Sequence, residues 1–358
     1  MLPARVNGFR PTDLDGLVAS GEVVWIGRGS IGANDGRVTL LFRERAGVLM
    51  PAAPDDRPVG AVHDAIRAHL SERGASFWPD LSSAAGVADQ QVVLRTLWDL
   101  VWAGEITNDT LAPLRSFIRG NSGRRRGHAT GRPRPGALRV SGPPAGAGRW
   151  SLVERLAAEP SPTERAHALA MQLLDRHGVL TREATLAEEV PGGFAAVYPV
   201  LRAMESSGIV RRGYFVAGLG AAQFALPGAI DRLRAARDPS PDADVLALAA
   251  ADPAQPFGAT LPWPASAGRP SRTAGAFVLL HQGQPVAFLE RGGKTLTTFG
   301  ETAPDVWADS LASLVKDGRV RRIELRTVDG VPVWEHAALE SLRAAGFAED
   351  YRGVTLRG

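Results

Sequence analysis

The sequence predicts an α+β fold: tandem winged-helix modules, each built around a helix-turn-helix, together with a small antiparallel β meander or barrel. Three observations predict it. A long stretch of the chain is repeated without gaps, a short helix-to-strand signature recurs five times, and three short strands follow one another near residues 270–300. At 358 residues the chain is too long for one core of ordinary size, so two or three packed units are expected.

The internal repeat is the most informative of these features. Residues 63–106 align without gaps on residues 167–210, a shift of 104 positions. The identical pairs include His63 and His167, Leu70 and Leu174, Gly74 and Gly178, Leu97 and Leu201, and Gly104 and Gly208. Each copy has the pattern of three helices, with a Gly at the end of the first and a Gly- or Pro-bearing turn before the third. This pattern is typical of a helix-turn-helix.

The recurring signature is Leu-x-x-(Leu or Met)-x-x-x-Gly, which places two apolar residues on one helix face and a Gly where the helix must stop. Its copies begin at Leu14, Leu97, Leu201, Leu311 and Leu339. Most copies are followed by a strand pattern, and a third helix followed by two strands is the closing half of a winged helix. In the first copy Thr12 is the predicted helix cap, and the turn at 34–36 joins the two predicted strands.

These patterns divide the chain into six segments. They are a partial winged-helix module at 1–58, a winged-helix module at 59–118, a linker at 119–149, a winged-helix module at 150–237, a β-rich meander or barrel module at 238–302, and a C-terminal winged-helix-like α/β module at 303–358. The β-rich module contains the strand patterns AGAFVLLH, PVAFLE and KTLTTF, separated by tight Gly turns.

The linker at 119–149 is predicted to be disordered, because Gly and Pro recur at short intervals and large apolar residues are almost absent. It holds eight Arg and no Asp or Glu. The other residues carry 33 Lys or Arg against 38 Asp or Glu, a net charge of −5. The run Arg124, Arg125 and Arg126 is therefore a candidate for electrostatic contact with phosphates.

Two further arginine pairs are candidate phosphate contacts, because each follows a predicted recognition-type helix at the start of a predicted wing strand. They are Arg211 with Arg212 and Arg321 with Arg322. A sheet edge that its charge keeps from pairing explains either pair equally well.

Trp98 and Trp102 lie four residues apart on a predicted helix that is apolar on most sides. This favours packing in the core or at a subunit interface over stacking on unpaired bases. The apolar helix also predicts a homo-oligomer, because a module in an array has more than one face to cover.

Several kinds of site are not expected. The chain has no Cys, and its seven His are dispersed without zinc-like spacing, so no disulfide and no metal site is predicted. No acid–base pair or Ser-His-Asp set can be assembled from the sequence, so catalytic residues are unknown. No apolar run is long enough to cross a bilayer and no signal pattern is present, so a cytoplasmic protein is expected.

Eight segments, in consistent order over nearly the whole chain, carry a family resemblance. They are GEVVWIGRGSIGANDGRV, GASFWPDL, LWDLVWAGEITNDTLAPLR, GRWSLV, PGGFAAVYPVLRAME, RRGYFVAGLGAAQFALPGA, DPAQPFGATLPWP and LERGGKTLTTF. These segments resemble the C-terminal region of bacterial Lhr, the large helicase-related proteins. The resemblance implies a DNA-repair helicase whose C-terminal region contains winged-helix modules and a β-barrel, promotes oligomer formation, and is similar in fold to DNA glycosylases of the AlkZ and YcaQ type.

The departures from that family are informative too. The sequence has no G-x-x-x-x-G-K-(S/T) loop and no Asp-Glu-x-His box, so no ATPase motor is expected in it. ATP and Mg²⁺ would act only through a separate Lhr-like helicase core. Met1 falls where the family is in mid-chain, which indicates a split gene, a truncated reading frame or a fragment. The Gln-apolar-Gln or Gln-apolar-Asp motif of the glycosylases is missing, since the HQGQ at 281–284 has Gly in the middle.

Three functions stay open. The main hypothesis is a DNA-binding and oligomerising C-terminal region of an Lhr-type ATP-dependent DNA repair helicase, which contacts the DNA backbone through wings and linker because its candidate recognition helices are apolar. The second is a base-excision enzyme acting on a flipped base, which a carboxylate in a pocket between modules would favour. The third is a purely structural oligomerisation scaffold, which the net charge of −5 outside the linker favours.

Overall fold

The structure is a computed structural model that describes residue 6 and residues 8–33, 35–50, 57–120, 142–156, 160–220, 222–238 and 243–358. The chain divides into two compact units, residues 2–168 and residues 169–358. The helices are α1 (Pro11–Ala19), α2 (Arg43–Leu49), α3 (Ala61–Arg73), α4 (Trp78–Ala84), α5 (Gln90–Trp102), α6 (Ala112–Arg119), α7 (Pro162–His177), α8 (Arg182–Ala187), α9 (Gly193–Ser206), α10 (Pro227–Ala235), α11 (Pro304–Lys316) and α12 (Leu339–Ala344). Over the described ranges, no helix combines the length and the apolar character that a membrane crossing requires.

The strands form five sheets within the described residues. They are β1 (Val23–Ser30), β2 (Gly36–Phe42), β3 (Ser76–Phe77), β4 (Ile106–Asn108), β5 (Arg149–Leu152), β6 (Val179–Leu180), β7 (Arg211–Gly213), β8 (Gln223–Ala225), β9 (Leu246–Ala249), β10 (Phe277–His281), β11 (Gln284–Leu289), β12 (Thr295–Thr298), β13 (Arg322–Leu325), β14 (Thr327–Val328), β15 (Val331–Pro332), β16 (Ala348–Asp350) and β17 (Gly353–Arg357).

Residues 61–152 form a winged helix. Its elements follow in the order α3, β3, α4, α5, β4, α6 and β5, and its antiparallel strands lie in the order β3-β5-β4. Helix α5 is followed by Gly104, whose φ of +73° is one that side chains rarely adopt. The first predicted helix-turn-helix, and the Gly that ends its third helix, are therefore confirmed.

Residues 162–225 form a second winged helix with the same topology. The elements run α7, β6, α8, α9, β7 and β8, and the strands lie in the order β6-β8-β7. Its core contains Leu174 and Leu201, at the repeat positions that Leu70 and Leu97 occupy in the first copy. All four leucines are buried, so the internal repeat reflects two equivalent cores.

Helix α1 and the β1–β2 hairpin pack on the winged helix formed by residues 61–152. Trp25 of β1 is fully buried, and its ring centroid lies 6.5 Å from that of Trp98 and 6.4 Å from that of Trp150. The predicted segments 1–58 and 59–118 thus share one core.

The predicted cap of α1 is wrong. The helix begins at Pro11, and the backbone N–H of Arg10 donates a 2.8 Å hydrogen bond to the carboxylate of Asp13. Because Pro at the first helical position has no N–H to satisfy, the helix starts one residue before Thr12.

The end of the predicted linker is ordered, which corrects the boundary at 149. Residues 142–149 lead into β5, the central strand of the sheet, where Trp150 is fully buried and its Nε1 donates to the carbonyl of Gly146 at 2.9 Å. A Cβ on Gly142 or Gly146 would lie 2.2 or 2.4 Å from the Trp78 ring. The small residues of this segment, which in the sequence indicate a linker, allow the backbone to lie against that ring.

The predicted module at 150–237 therefore begins too early, because β5 belongs to the preceding winged helix. Residues 121–141, most of the predicted linker, lie outside the described residues. In the chain they fall between β4 and β5, the two strands that a wing connects.

Residues 246–332 contribute a six-stranded sheet in the order β15-β14-β12-β11-β10-β9. Strands β9 to β12 pair antiparallel with their sequence neighbours, and β12 pairs parallel with β14. The sheet is open in the described part of the chain, with β15 and β9 at its edges, so these strands do not close the predicted barrel.

Helix α11 covers this sheet, and one core joins the two predicted segments 238–302 and 303–358. Trp307 and Leu311 of α11 are fully buried with Leu279 and Leu296 of the sheet. The boundary predicted at 302 thus falls inside a continuous core. Strand patterns in the sequence did not reveal this shared core, because β14 joins the sheet only through its pairing with β12.

The last residues also contain the strand order of the two winged helices. After α11 come β13, the β14–β15 hairpin, α12, β16 and β17, and the strands of the second sheet lie in the order β13-β17-β16. The β16–β17 hairpin is therefore the wing of this C-terminal module.

Candidate nucleic-acid interface

The wing of the second winged helix carries two exposed arginines at its first strand, β7. Arg212 Nε lies 3.2 Å from Glu205 Oε1 at the end of α9, so its charge is partly balanced. Arg211 forms no ion pair with any described residue. The strand thus presents one balanced and one unbalanced guanidinium to solvent, an arrangement suited to phosphate contact.

Helix α9, in the position of a recognition helix, offers little for reading bases. Its exposed positions before Arg202 include Ala195, Ala196 and Pro199, which carry no side-chain hydrogen-bond donor. Base readout in the major groove needs such donors and acceptors. The prediction of an apolar recognition helix holds for this module, and the polar groups lie on the wing instead.

Helix α5 differs from that prediction. Gln90, Gln91, Arg95 and Asp99 are exposed along one side of it. The apolar residues on its other sides hid this polar stripe from sequence reasoning, although Gln and Arg at these spacings are the side chains that pair with base edges.

Arg321 and Arg322 are not on a wing, which corrects the sequence prediction. They precede or begin β13, the first strand of the C-terminal sheet, and Arg322 lies 3.6 Å from Glu324. The helix-to-strand signature at Leu311 marks the first helix of that module, α11, rather than its third. A Gly stop followed by a strand occurs after both kinds of helix, so the signature cannot distinguish them.

The wing of the C-terminal module turns at 350–353 and was missed by sequence reasoning. Asp350 accepts hydrogen bonds from the backbone N–H of Arg352 at 2.7 Å and from Thr355 Oγ1 at 2.8 Å. These hydrogen bonds lower the pKa of the Asp350 carboxyl. Both carboxylate oxygens are therefore committed to the turn, and Tyr351 and Arg352 are exposed at its tip.

Trp98 and Trp102 are core residues. Trp98 is 2 % exposed, donates its Nε1–H to the carbonyl of Ala145 at 3.0 Å, and stacks on Phe117 with centroids 4.1 Å apart. Trp102 is 9 % exposed and lies 5.3 Å from Trp98. Both side chains are thus buried within the chain, so they do not form the exposed apolar surface that motivated the homo-oligomer prediction.

Arg124, Arg125 and Arg126 lie outside the described residues. In the sequence they fall between α6 and β5.

A cleft of about 490 Å³ lies between the second winged helix and residues 253–261. Glu188 is in its wall, where Arg176 forms an ion pair with it and His177 Nε2 lies 3.1 Å from Oε1. The hydrogen bond from His177, which outweighs the effect of burial, and that from Arg176 lower the pKa of Glu188 to about 2. Arg272 lies opposite, and burial lowers its pKa. The cleft thus holds an ionised carboxylate among cationic groups.

Comparisons with known proteins agree on one family. Two family models, both described as the winged-helix domain of "Large helicase-related protein", match residues 159–245 (the fourth such domain) and residues 1–43 (the third). The chain is 40 % identical over 385 residues to "Lhr helicase/ probable uracil glycosylase" of Mycolicibacterium smegmatis, covering 100 % of this chain and 25 % of that protein. It is 38 % identical over 380 residues to "Lhr helicase/uracil glycosylase" of Escherichia coli, covering 99 % and 24 %.

The chain spans about a quarter of the length of these curated relatives. The resemblance drawn from the sequence segments is confirmed, and the domain matches include the second winged helix together with its wing. The chain belongs to the large helicase-related (Lhr) proteins, as a homologue of their C-terminal quarter that carries their winged-helix domains.

Proposed function

We propose that this chain is the DNA-binding C-terminal region of an Lhr-type DNA repair helicase, with its winged helices in tandem and their wings in contact with the DNA backbone. The observation that supports this most is the β7 wing strand, where exposed Arg211 lies beside Arg212 in a domain that matches an Lhr winged helix. The relatives are named as helicases, and a separate Lhr-like core would supply the motor, with ATP and Mg²⁺.

Backbone contact fits the distribution of side chains on the second winged helix. Its α9 exposes small apolar residues, whereas guanidinium groups that suit phosphates lie on β7. Contacts of this kind fix a protein on DNA without reading its sequence. On α5 the Gln and Arg stripe adds a surface on which bases could be read, so sequence preference would come from the first winged helix.

Replacing Arg211 and Arg212 by Ser is expected to weaken DNA binding almost equally for all sequences. Each phosphate contact contributes about 0.7–0.9 to the slope of log affinity against log salt, so the slope should flatten by about 1 to 2 units. The measurement is a titration of labelled duplex DNA at several salt concentrations.

The matched control replaces Arg232 and Arg234 of α10, which removes the same charge from an exposed helix outside any wing. The control should keep the parental slope. If the salt slope flattens equally in both variants, the effect depends only on net charge, and a wing contact is contradicted. A third variant, in which Arg124, Arg125 and Arg126 become Ser, should flatten the slope by about two units if the linker arginines also contact phosphates.

Homo-oligomerisation stays a prediction without a surface to support it. Trp98 and Trp102, on which it rested, are buried in the core of the first winged helix. The scaffold hypothesis, which the net charge of −5 outside the linker favours, is not part of the proposal.

A second candidate function is base excision, and the cleft beside Glu188 favours it. An ionised carboxylate in a cleft can stabilise the positive charge that develops on a deoxyribose when its bond to a base breaks. To act in this way Glu188 would have to exchange its contacts with Arg176 and His177 for the substrate. Both relatives carry uracil glycosylase in their names. If this cleft is the site, the chain should remove uracil from single-stranded DNA and Glu188→Gln should abolish the activity. Equal activity of the parent and the variant would eliminate Glu188 from that role.

A further inference from the structure

Two of the three tyrosines in the chain lie on wings and are almost fully exposed. Tyr214 follows β7 and is 81 % exposed, and Tyr351 at the β16–β17 turn is 82 % exposed. The third, Tyr198, is partly buried against Phe194 and Phe224 in the core of the second winged helix. Packing therefore explains Tyr198 and leaves the two wing tyrosines without a structural role.

The wing loop that carries Tyr214 is held by a buried side chain. Gln223 is fully buried, its Oε1 accepts from the backbone N–H groups of Phe215 and Val216 at 2.8 Å each, and its Nε2 donates to the carbonyl of Val216 at 2.9 Å. The residues after Tyr214 are thus fixed, and the tyrosine ring projects from an ordered loop. Little conformational freedom remains to be lost when the ring binds a partner.

Tyr351 is held in a comparable way. The hydrogen bonds of Asp350 fix the turn, and Gly353 closes it at a position where a Cβ would lie 2.1 Å from the carbonyl oxygen of Leu325. The guanidinium carbon of Arg352 lies 4.8 Å from the Tyr351 ring centroid. One face of the ring is therefore covered by a cation and the other is open.

An arginine lies close to each of the two rings, and the charges on the β7 wing suit a polyanion. Arg211 and Arg212 precede Tyr214 on its wing, and Arg352 is adjacent to Tyr351. On the C-terminal wing Glu349 pairs with Arg343, and Asp350 is hydrogen-bonded within the turn but keeps its negative charge. An exposed aromatic ring beside an arginine side chain is a combination by which proteins bind single-stranded nucleic acid.

We propose that Tyr214 and Tyr351 stack on unpaired bases, so that these wings favour single-stranded or unwound DNA over intact duplex. This inference rests on the proposed DNA-binding function and adds its substrate class. In a duplex the base faces are covered by their neighbours, so the rings have no base to stack on there. The arginine contacts would then provide affinity for any DNA, and the two tyrosines would provide the preference for unpaired bases.

The test compares a labelled oligodeoxythymidylate with a matched-length duplex, using the full chain. Tyr214→Ala and Tyr351→Ala should each weaken binding to the single strand by about fivefold or more, and leave the affinity for duplex unchanged. Tyr→Phe at either position should restore binding, because stacking needs the ring and not the hydroxyl. The control is Trp334→Ala, which removes an aromatic side chain that is 47 % exposed but lies outside a wing.

The other outcomes are distinguishable. Equal losses of affinity for single strand and duplex would overturn base stacking. Failure of the Phe variants to restore binding would also overturn it, in favour of a hydroxyl contact. If the parent binds both DNAs with salt-dependent affinity and the Ala variants bind as tightly as the parent, this inference alone is overturned. The two tyrosines would then be candidates for contact with a protein partner. A parent that binds neither DNA would overturn the proposed function itself.

Discussion

Replacing Trp150 by Ala is expected to destabilise the winged helix of residues 61–152 by about 3–5 kcal/mol, the range for removing a fully buried aromatic side chain. The side chain is 0 % exposed, and its ring contacts those of Trp25 and Trp98 edge to face at 6.4 and 5.9 Å. It also lies on β5, the strand between β3 and β4. The variant would leave a cavity in the core and weaken the central strand. Urea unfolding followed by fluorescence measures the loss.

Trp334→Ala is the comparison for Trp150→Ala, because Trp334 is 47 % exposed and its removal should cost roughly half as much. A loss below about 1 kcal/mol for Trp150→Ala would contradict the assignment of β5 to this core. Residues 142–152 would then belong to a linker, as their composition indicates.

Replacing Glu105 by Gln is expected to cost about 2–3 kcal/mol. Burial alone would raise the pKa of the Glu105 carboxyl, but hydrogen bonds from Arg67 and Arg57 outweigh it and lower the pKa to about 2. Arg67 donates through Nε at 2.7 Å and Nη2 at 2.9 Å, and Arg57 through Nη2 at 2.8 Å. This loss of stability is smaller than is usual when a buried ion pair is broken, since the Arg57 side chain is 59 % exposed and can be rehydrated.

The effect of Glu105 should depend on pH in a defined direction. Its pKa is lower in the folded chain than the ordinary value of 4.5, so its stabilisation is fully present above about pH 4.5 and is lost as the pH falls towards about 2. The difference in unfolding free energy between parent and variant should therefore shrink across this window. Glu72→Gln on the exposed side of α3 is the control and should show no such window. A difference that stays constant down to pH 2 would contradict the ion cluster.

The repeated parts of the fold could be predicted from the sequence because their signals are local. A Gly that ends a helix and leucines three or four residues apart depend only on neighbours along the chain, and Gly74, Gly104, Leu97 and Leu201 lie where the repeat predicts. The meeting of distant segments could not be predicted in this way. Trp25 and Trp150 share one core although they are far apart in the sequence. Strand β14 joins strands β9 to β12 although helix α11 and β13 separate it from them in the chain.

The candidate site was predicted only in part. Arg211 and Arg212 were identified because a basic pair at the start of a wing strand is visible in the sequence. Tyr214 was passed over although it lies two residues further on, since exposure cannot be derived from residue type. Arg321 and Arg322 were predicted to lie on a wing strand because the helix-to-strand signature before them does not distinguish the first helix of a module from its third.

Hydrogen–deuterium exchange with and without DNA tests most directly whether the wings carry the contacts. We expect slower amide exchange in residues 211–225 and 348–357 when DNA is bound, with little change along the apolar face of α9. Protection confined to α9, with both wings unchanged at saturating DNA, would contradict it and would make the helices of this chain the DNA-binding elements.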